Sequence, residues 1–236
     1  MSTSPIDLVV LDIAGTTVDE GLQVYRVLEQ TVIAHGGSPS PADIDRWHGA
    51  NKHEALRALL TPDGGTPPSA EVLRGIVADF QSRLMAAYVQ NPPRPLPGVP
   101  EALAELRAAG IRIALNTGFD RDILDALLPA VGWNDDSVVD TVVGGSDVPS
   151  GRPAPFMIYK AMERLGVTDI SRVLVAGDTP RDLEAGTNSG AAYVVGVLSG
   201  AGSLDELGTQ QHTHLLSSVA ALPALLGVRS ALVSVS

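Results

Sequence analysis

Short apolar segments alternate along the chain with longer amphipathic ones. The apolar segments are rich in Val, Ile and Ala: Leu8–Leu11, Ile111–Leu115, Val138–Val143, Val173–Ala176, Ala192–Val197 and, as a sixth candidate, His214–Leu216. Helical spacing of apolar residues predicts helices at Val99–Ala109, Arg121–Ala130, Pro155–Leu165, Arg181–Ser189 and Val219–Leu226. Near-continuous apolar strands separated by helices indicate an α/β fold with a doubly wound parallel sheet, covered on both faces.

This alternation stops after Asp19, and every element predicted from there to Asn91 is a helix. Three segments have helical spacing: Leu22–Ile33, Ala55–Leu60 and Val72–Val89. The Gly/Pro-rich segment Thr61–Ser69, between the last two, is a predicted loop. A stiff Pro-rich segment follows, which suits a domain boundary. We therefore expect an all-helical cap domain at residues 19–92, inserted into a core domain formed by residues 1–18 and 93–236.

The composition excludes several classes of function. With a formal net charge of −11, the chain has no basic stripe to replace the counterions of a nucleic acid, and an anionic membrane surface is also disfavoured. The absence of Cys excludes disulfides, thiolate metal sites and a Cys nucleophile. No apolar run is long enough to cross a bilayer, and the N-terminus lacks a signal-peptide pattern. We expect a cytoplasmic protein that acts on a small molecule.

Polar residues follow two of the predicted strands, at the sheet edge where open parallel sheets bind ligands. Asp12 comes directly after the first strand and is followed by Gly15 and two threonines, which suits a phosphate site because turn amides can face an anion. Thr117 and Gly118 follow the second strand and offer a hydroxyl and a backbone amide to phosphate oxygens. Taken singly, each group also fits an ordinary turn.

An acidic pair and an arginine occur near the fourth predicted strand. Asp178 and Asp182 stand four residues apart at a predicted helix start. They fit helix capping, and they also fit Mg²⁺, which favours one or two carboxylates together with water and phosphate oxygens. Arg152 precedes this strand at another helix start, where it is either a surface residue or a clamp on phosphate.

In this order, the residues resemble the four motifs of the haloacid dehalogenase superfamily. The matching residues are Asp12, Thr117, Arg152, and Asp178 with Asp182. The resemblance covers essentially the whole chain, and it implies a Rossmann-like core, bound Mg²⁺ and an aspartyl-phosphate formed on Asp12. The ion would be held by Asp12, the Ala14 carbonyl and Asp178, with Asp182 as a nearby support. Thr117 and Arg152 would bind phosphoryl oxygens.

Ala14 departs from most phosphatases of this superfamily, which carry a second Asp there to protonate the leaving alcohol. The phosphonatase branch shares the pattern Asp12-Ile13-Ala14-Gly15-Thr16 and has Arg in the third motif. It also has a cap lysine that forms a Schiff base with an aldehyde, which Lys52 matches, and a cap glycine, which Gly49 matches. Lys52 is one of two lysines among 16 basic residues; an exposed helix lysine is the alternative interpretation.

Three positions differ from phosphonatase proper, which has Met, His and Tyr in its aldehyde pocket where this chain has His48, Ala55 and Phe119. The resemblance is therefore to a phosphonatase-like hydrolase, with phosphonoacetaldehyde or a related 2-oxoalkylphosphonate as substrate. His48 is expected to bind that substrate. Relatives with this cap often dimerise through it, so the resemblance also implies a homodimer.

Two other functions stay open from the sequence. One is a phosphate monoester phosphatase, similar to phosphoglycolate phosphatase, or a sugar-phosphate mutase of the same superfamily; Ala14 argues against both because it cannot transfer a proton. The other is a non-catalytic phosphate-binding module like a signalling receiver, in which the large cap and Lys52 would have no purpose.

Overall fold

The computed structural model describes residues 6–61, 63, 65–134 and 137–228. Both ends of the predicted core domain and residues 62 and 64 of the predicted loop lie outside these ranges. The described strands are β1 Leu8–Asp12, β2 Val18–Asp19, β3 Arg94–Pro95, β4 Arg112–Asn116, β5 Thr141–Val143, β6 Val173–Gly177, β7 Tyr193–Val197 and β8 His214–Leu216.

The described helices form two groups along the chain. Those between β2 and β3 are α1 Gln23–Ala34, α2 Pro41–Asp45, α3 Lys52–Leu59 and α4 Ala70–Gln90. Those after β3 are α5 Val99–Ala108, α6 Arg121–Ala130, α7 Phe156–Leu165, α8 Pro180–Ser189, α9 Leu204–Gly208 and α10 Leu222–Leu225. None of the described helices combines the length and the apolar character that a membrane span requires.

A six-stranded parallel sheet forms the core, in the order β5-β4-β1-β6-β7-β8. Alternate residues of β1 serve its two faces: Val9 and Leu11 pack with α5 and α6, while Leu8 and Val10 pack with α7 and α8. Because both faces are covered, the strand is apolar at every position up to Asp12. The predicted doubly wound sheet with an added helical cap is confirmed.

The cap packs its own apolar interior, which is continuous with one face of the core. Phe80 and Leu84 of α4 are fully buried against α1, together with Leu28 of that helix. The two chain crossings between cap and core pair as a short antiparallel ribbon, β2 with β3. The expected domain boundaries lie in or beside this ribbon.

Some predicted bounds were wrong for identifiable reasons. The segment Val138–Val143 is a strand only from Thr141, because the side chain of Asp140 accepts the Ile113 N–H at 2.7 Å and replaces a strand-to-strand bond. The sequence pattern also missed α2 and α9, whose five residues are too few to establish a helical period. A capping box at Ser40 and Asp43 was the available signal for α2.

The cap interior yields a stability prediction. Phe80→Ala should lower the free energy of unfolding by about 3–5 kcal/mol, because it leaves a cavity where a fully buried ring packs. Val89→Ala on the same helix should change it by less than about 0.5 kcal/mol, because that side chain is 82% exposed. Urea unfolding measures both, and equal losses would contradict the packing described here.

Candidate active site

Three neighbouring strands bring the predicted phosphate-site residues together. β1 lies between β4 and β6, and Asp12 at its end is in register with Asn116 of β4. Thr117 follows Asn116, and Asp178 follows the last residue of β6. Because parallel strands end at one edge of the sheet, their polar successors meet there.

Arg152 is buried between two of the predicted carboxylates. Its Nη1 donates to Asp12 Oδ1 at 2.7 Å and also forms an ion pair with Asp182 Oδ1. The exposed fraction of the guanidinium side chain is 2%. Its Nε is buried and has no hydrogen-bond partner among the described residues. A buried N–H without a partner is costly, so this atom is a ready donor for an oxyanion in the adjacent cavity.

The carboxylate of Asp178 is held by polar groups from two other segments. Thr16 Oγ1 donates to its Oδ1 and the backbone N–H of Ala201 donates to its Oδ2, both at 2.7 Å. Burial, and after it the charge of Asp12, raises the pKa of Asp178 to about 7. Three buried carboxylates, those of Asp12, Asp178 and Asp182, lie close to the single guanidinium of Arg152.

This acidic cluster fits a divalent cation. Carboxylate oxygens of Asp12, Asp178 and Asp182 all lie within 4.8 Å of one another, and all three residues are buried. Asp182 already accepts from Thr179 through Oδ2, and its Oδ1 pairs with Arg152. That leaves Asp12 and Asp178 as the better ligand candidates, with Asp182 as a support that also caps α8.

A small cavity of about 10 Å³ lies next to Asp12 at the boundary between core and cap. Its core walls include Ala14, Thr117, Gly118, Phe119, Arg152 and Thr179, and its cap walls are Val24, Tyr25, Gly49, Ala50 and Lys52. Ala14 presents no acidic group to this space. The walls therefore offer a carboxylate, a guanidinium and two hydroxyls from the core, and a phenol and one amine from the cap.

Lys52 is the first residue of α3, and only 5% of it is exposed. Its Nζ donates to the Ala50 carbonyl at 2.9 Å and lies 5.1 Å from the centroid of the Tyr25 ring. Burial is the main cause that lowers the pKa of Lys52 to about 7; Arg152 acts in the same direction, and Asp12 opposes it. The positive end of the α3 dipole also disfavours the ammonium. The amine is therefore available in its neutral, nucleophilic form near pH 7.

Tyr25 was missed by the sequence analysis, because nothing in the spacing of α1 distinguishes it from a core residue. Its hydroxyl accepts the Gly49 N–H at 3.1 Å, and burial raises its pKa, so the phenol stays protonated. His48 lies behind it, with the ring centroids 3.9 Å apart. His48 is not among the residues that line the cavity. Binding of substrate by His48 stays a prediction, and the contact it makes here supports Tyr25.

Comparisons with known proteins agree with this geometry. A family model described as haloacid dehalogenase-like hydrolase matches residues 6–190. A phosphonoacetaldehyde hydrolase-like protein from Syntrophobacter fumaroxidans is 33% identical over 217 residues, covering 88% of this chain and 76% of that protein. A phosphonoacetaldehyde hydrolase from Nitratidesulfovibrio vulgaris is 32% identical over 205 residues, covering 82% and 72%.

A solved structure shares the complete fold. The phosphonoacetaldehyde hydrolase-like protein from Oleispira antarctica superposes with a TM-score of 0.81 at 24% identity, covering 95% of this chain and 92% of that one. The family match spans more than half of the chain, and both relatives exceed 30% identity over most of it. The chain therefore belongs to the haloacid dehalogenase-like hydrolases, and the resemblance to their phosphonatase branch is confirmed.

Proposed function

We propose that this hydrolase cleaves the carbon–phosphorus bond of phosphonoacetaldehyde or a related 2-oxoalkylphosphonate. The reaction would pass through a Schiff base on Lys52 and an aspartyl-phosphate on Asp12. The observation that carries the proposal is the pairing of these two residues on one cavity, where the amine has a pKa lowered to about 7 and Ala14 supplies no acid. The names of the two relatives support the same substrate.

The chemistry requires an electron sink on carbon. Protonating an oxygen does not release a carbon leaving group, so the electrons of the breaking bond must be accepted elsewhere. When an aldehyde two carbons from phosphorus condenses with the Lys52 amine, water leaves and a protonated imine forms. That cation accepts the electron pair, which explains why the site can function without a carboxylic acid at residue 14.

The remaining steps balance with one net water consumed. Asp12 attacks phosphorus, the C–P electron pair enters the imine, and an enamine forms on Lys52. The enamine takes a proton on carbon and is hydrolysed to acetaldehyde and the free amine. A second water cleaves the aspartyl-phosphate, which releases orthophosphate and restores Asp12.

The phosphonyl group would be bound by residues at the strand ends. Arg152, whose Nε has no partner among the described residues, and Thr117 both line the cavity, and their task would be to align phosphorus with Asp12 and to stabilise its charge. Mg²⁺ held by Asp12, the Ala14 carbonyl and Asp178 would reduce the repulsion between the attacking carboxylate and the anionic substrate. Asp182 would keep Arg152 in place.

Imine trapping tests the proposal directly. Incubation with phosphonoacetaldehyde and borohydride should leave a reduced adduct on Lys52, mapped by peptide mass spectrometry. Lys52→Arg should lose both the adduct and at least about a thousandfold in turnover, since the covalent step is removed. Asp12→Asn should still form the adduct yet release no phosphate, because only the attack on phosphorus is blocked.

Lys160→Arg is the matched control, because Lys160 is the other lysine of the chain and pairs with Glu163 on the surface. It should leave both trapping and turnover unchanged. A panel of phosphate monoesters should be assayed beside the aldehyde. Rapid ester hydrolysis without phosphonate cleavage, or an adduct at any other position, would overturn the proposal in favour of an ordinary phosphatase.

The pH dependence of trapping is a second prediction. Below pH 7 the buried amine is protonated, so the neutral fraction, and with it the trapping rate, should rise about tenfold per pH unit up to about 7 and then level off. The rate is measured with saturating borohydride between pH 5.5 and 10. A rise that continues to about pH 10, as for an exposed lysine, would contradict the burial of Lys52.

A further inference from the structure

Arg181 joins the cap to the core beside the active site, although neither the motifs nor the proposed reaction assigns it a role. It is the second residue of α8 and lies in the sequence three residues after Asp178 and just before Asp182. A positive charge in the first turn of a helix is unfavourable, because it faces the positive end of the helix dipole. The residue at this position is therefore not explained by the stability of α8.

Its contacts reach across the domain boundary. Nη1 donates to the Arg152 carbonyl at 3.3 Å, within the core, and Nη2 donates to the Arg46 carbonyl at 3.2 Å, in the cap. The guanidinium carbon lies 5.3 Å from the centroid of the Trp47 ring, also in the cap. One planar group thus joins the backbone of the phosphate-site arginine to two successive cap residues. A lysine has a single ammonium and cannot repeat this geometry.

The same stretch of the cap fits tightly against the core on its other side. A Cβ added at Gly118 would lie 2.6 Å from the Ala50 carbonyl oxygen, and one added at Gly49 would lie 2.4 Å from Thr179 Oγ1. These close approaches leave little room for adjustment. Arg46 and Trp47 precede Gly49 and Ala50, and Lys52 lies two residues after Ala50. A contact on Arg46 and Trp47 can therefore influence where Lys52 lies.

We propose that Arg181 is a positioning residue that couples closure of the cap to the placement of Arg152, and so aligns the cap amine with Asp12. The hydrogen bond to the Arg46 carbonyl is 3.2 Å long and exposed to water, so water can compete for both of its partners. The contacts of Arg181 with Arg46 and Trp47 can therefore break to admit a ligand and form again. This coupling would act on any phosphoryl or phosphonyl compound, so it goes beyond the proposed substrate.

Reciprocity makes the coupling measurable with orthophosphate alone. If a closed cap favours occupation of the phosphate site, then bound orthophosphate favours the closed cap by the same factor. A substitution that lowers the closed fraction must therefore weaken the apparent affinity for orthophosphate. Arg181→Met should raise the dissociation constant of orthophosphate, measured by calorimetry in the presence of Mg²⁺, about tenfold. Arg181→Lys should recover little of this loss.

Trp47→Leu should weaken orthophosphate binding about threefold, although Trp47 does not line the cavity. The double variant should bind no worse than Arg181→Met, because both changes remove one shared contact.

A second readout follows the cap itself. Trp47 and Trp133 are the tryptophans of the chain, so Trp133→Phe leaves Trp47 as the reporter. Arg181→Met in that background should increase acrylamide quenching of Trp47, and saturating orthophosphate should reverse the increase. Arg83→Met is the control, since Arg83 pairs with Asp79 on the cap surface, and it should change neither quantity.

Three outcomes would overturn the proposal: unchanged orthophosphate affinity in Arg181→Met, additive losses in the double variant, or quenching that orthophosphate does not reverse. Failure of the proposed carbon–phosphorus cleavage would appear separately, in the trapping experiment on Lys52, and would leave these binding results unaffected.

Discussion

The need to compensate buried charge governs the arrangement of the whole site. Asp12, Asp178 and Asp182 share a small volume with Arg152, and none of the four is more than 5% exposed. Charges removed from water are tolerated only when each has a partner. Arg152 serves two of the carboxylates, and Thr16 with the Ala201 amide serves the third. The raised pKa of Asp178 indicates that this compensation is incomplete, which is the condition under which a divalent cation binds well.

The same constraint determines what the cap contributes. Lys52 enters a site that already holds the guanidinium of Arg152, so burial and that neighbour favour the uncharged amine. Asp12 and Glu20 act in the opposite direction and favour a cation at the same nitrogen. An environment balanced in this way suits a group that must be neutral to attack a carbonyl and positively charged afterwards. The charges around Lys52, and not the lysine side chain alone, therefore suit the cap amine to the proposed reaction.

Much of this could be predicted because burial leaves a clear pattern. Strands covered on both faces are apolar throughout, and their shared edge made Asp12, Thr117 and Asp178 recognisable as neighbours. The pairing of β2 with β3 has no such pattern, since two residues cannot show alternation. Arg152 and Lys52 come from a loop and from the cap, so the sequence pattern left both roles open and the resemblance to a family decided between the alternatives. Tyr25 and Arg181 escaped notice because their partners depend on how the cap sits.

The two halves of the site are held with very different strength. The core half rests on five parallel strand pairings and on ion pairs that are almost inaccessible to water. The cap half rests on close backbone approaches and on the partly exposed contacts of Arg181. The cavity has a volume of only about 10 Å³, so a ligand requires the cap to move. In the proposed reaction, the phosphate site of the core stays assembled, and Lys52 reaches it only when the cap closes. The imine would then form beside a bound phosphonyl group and with little access to water.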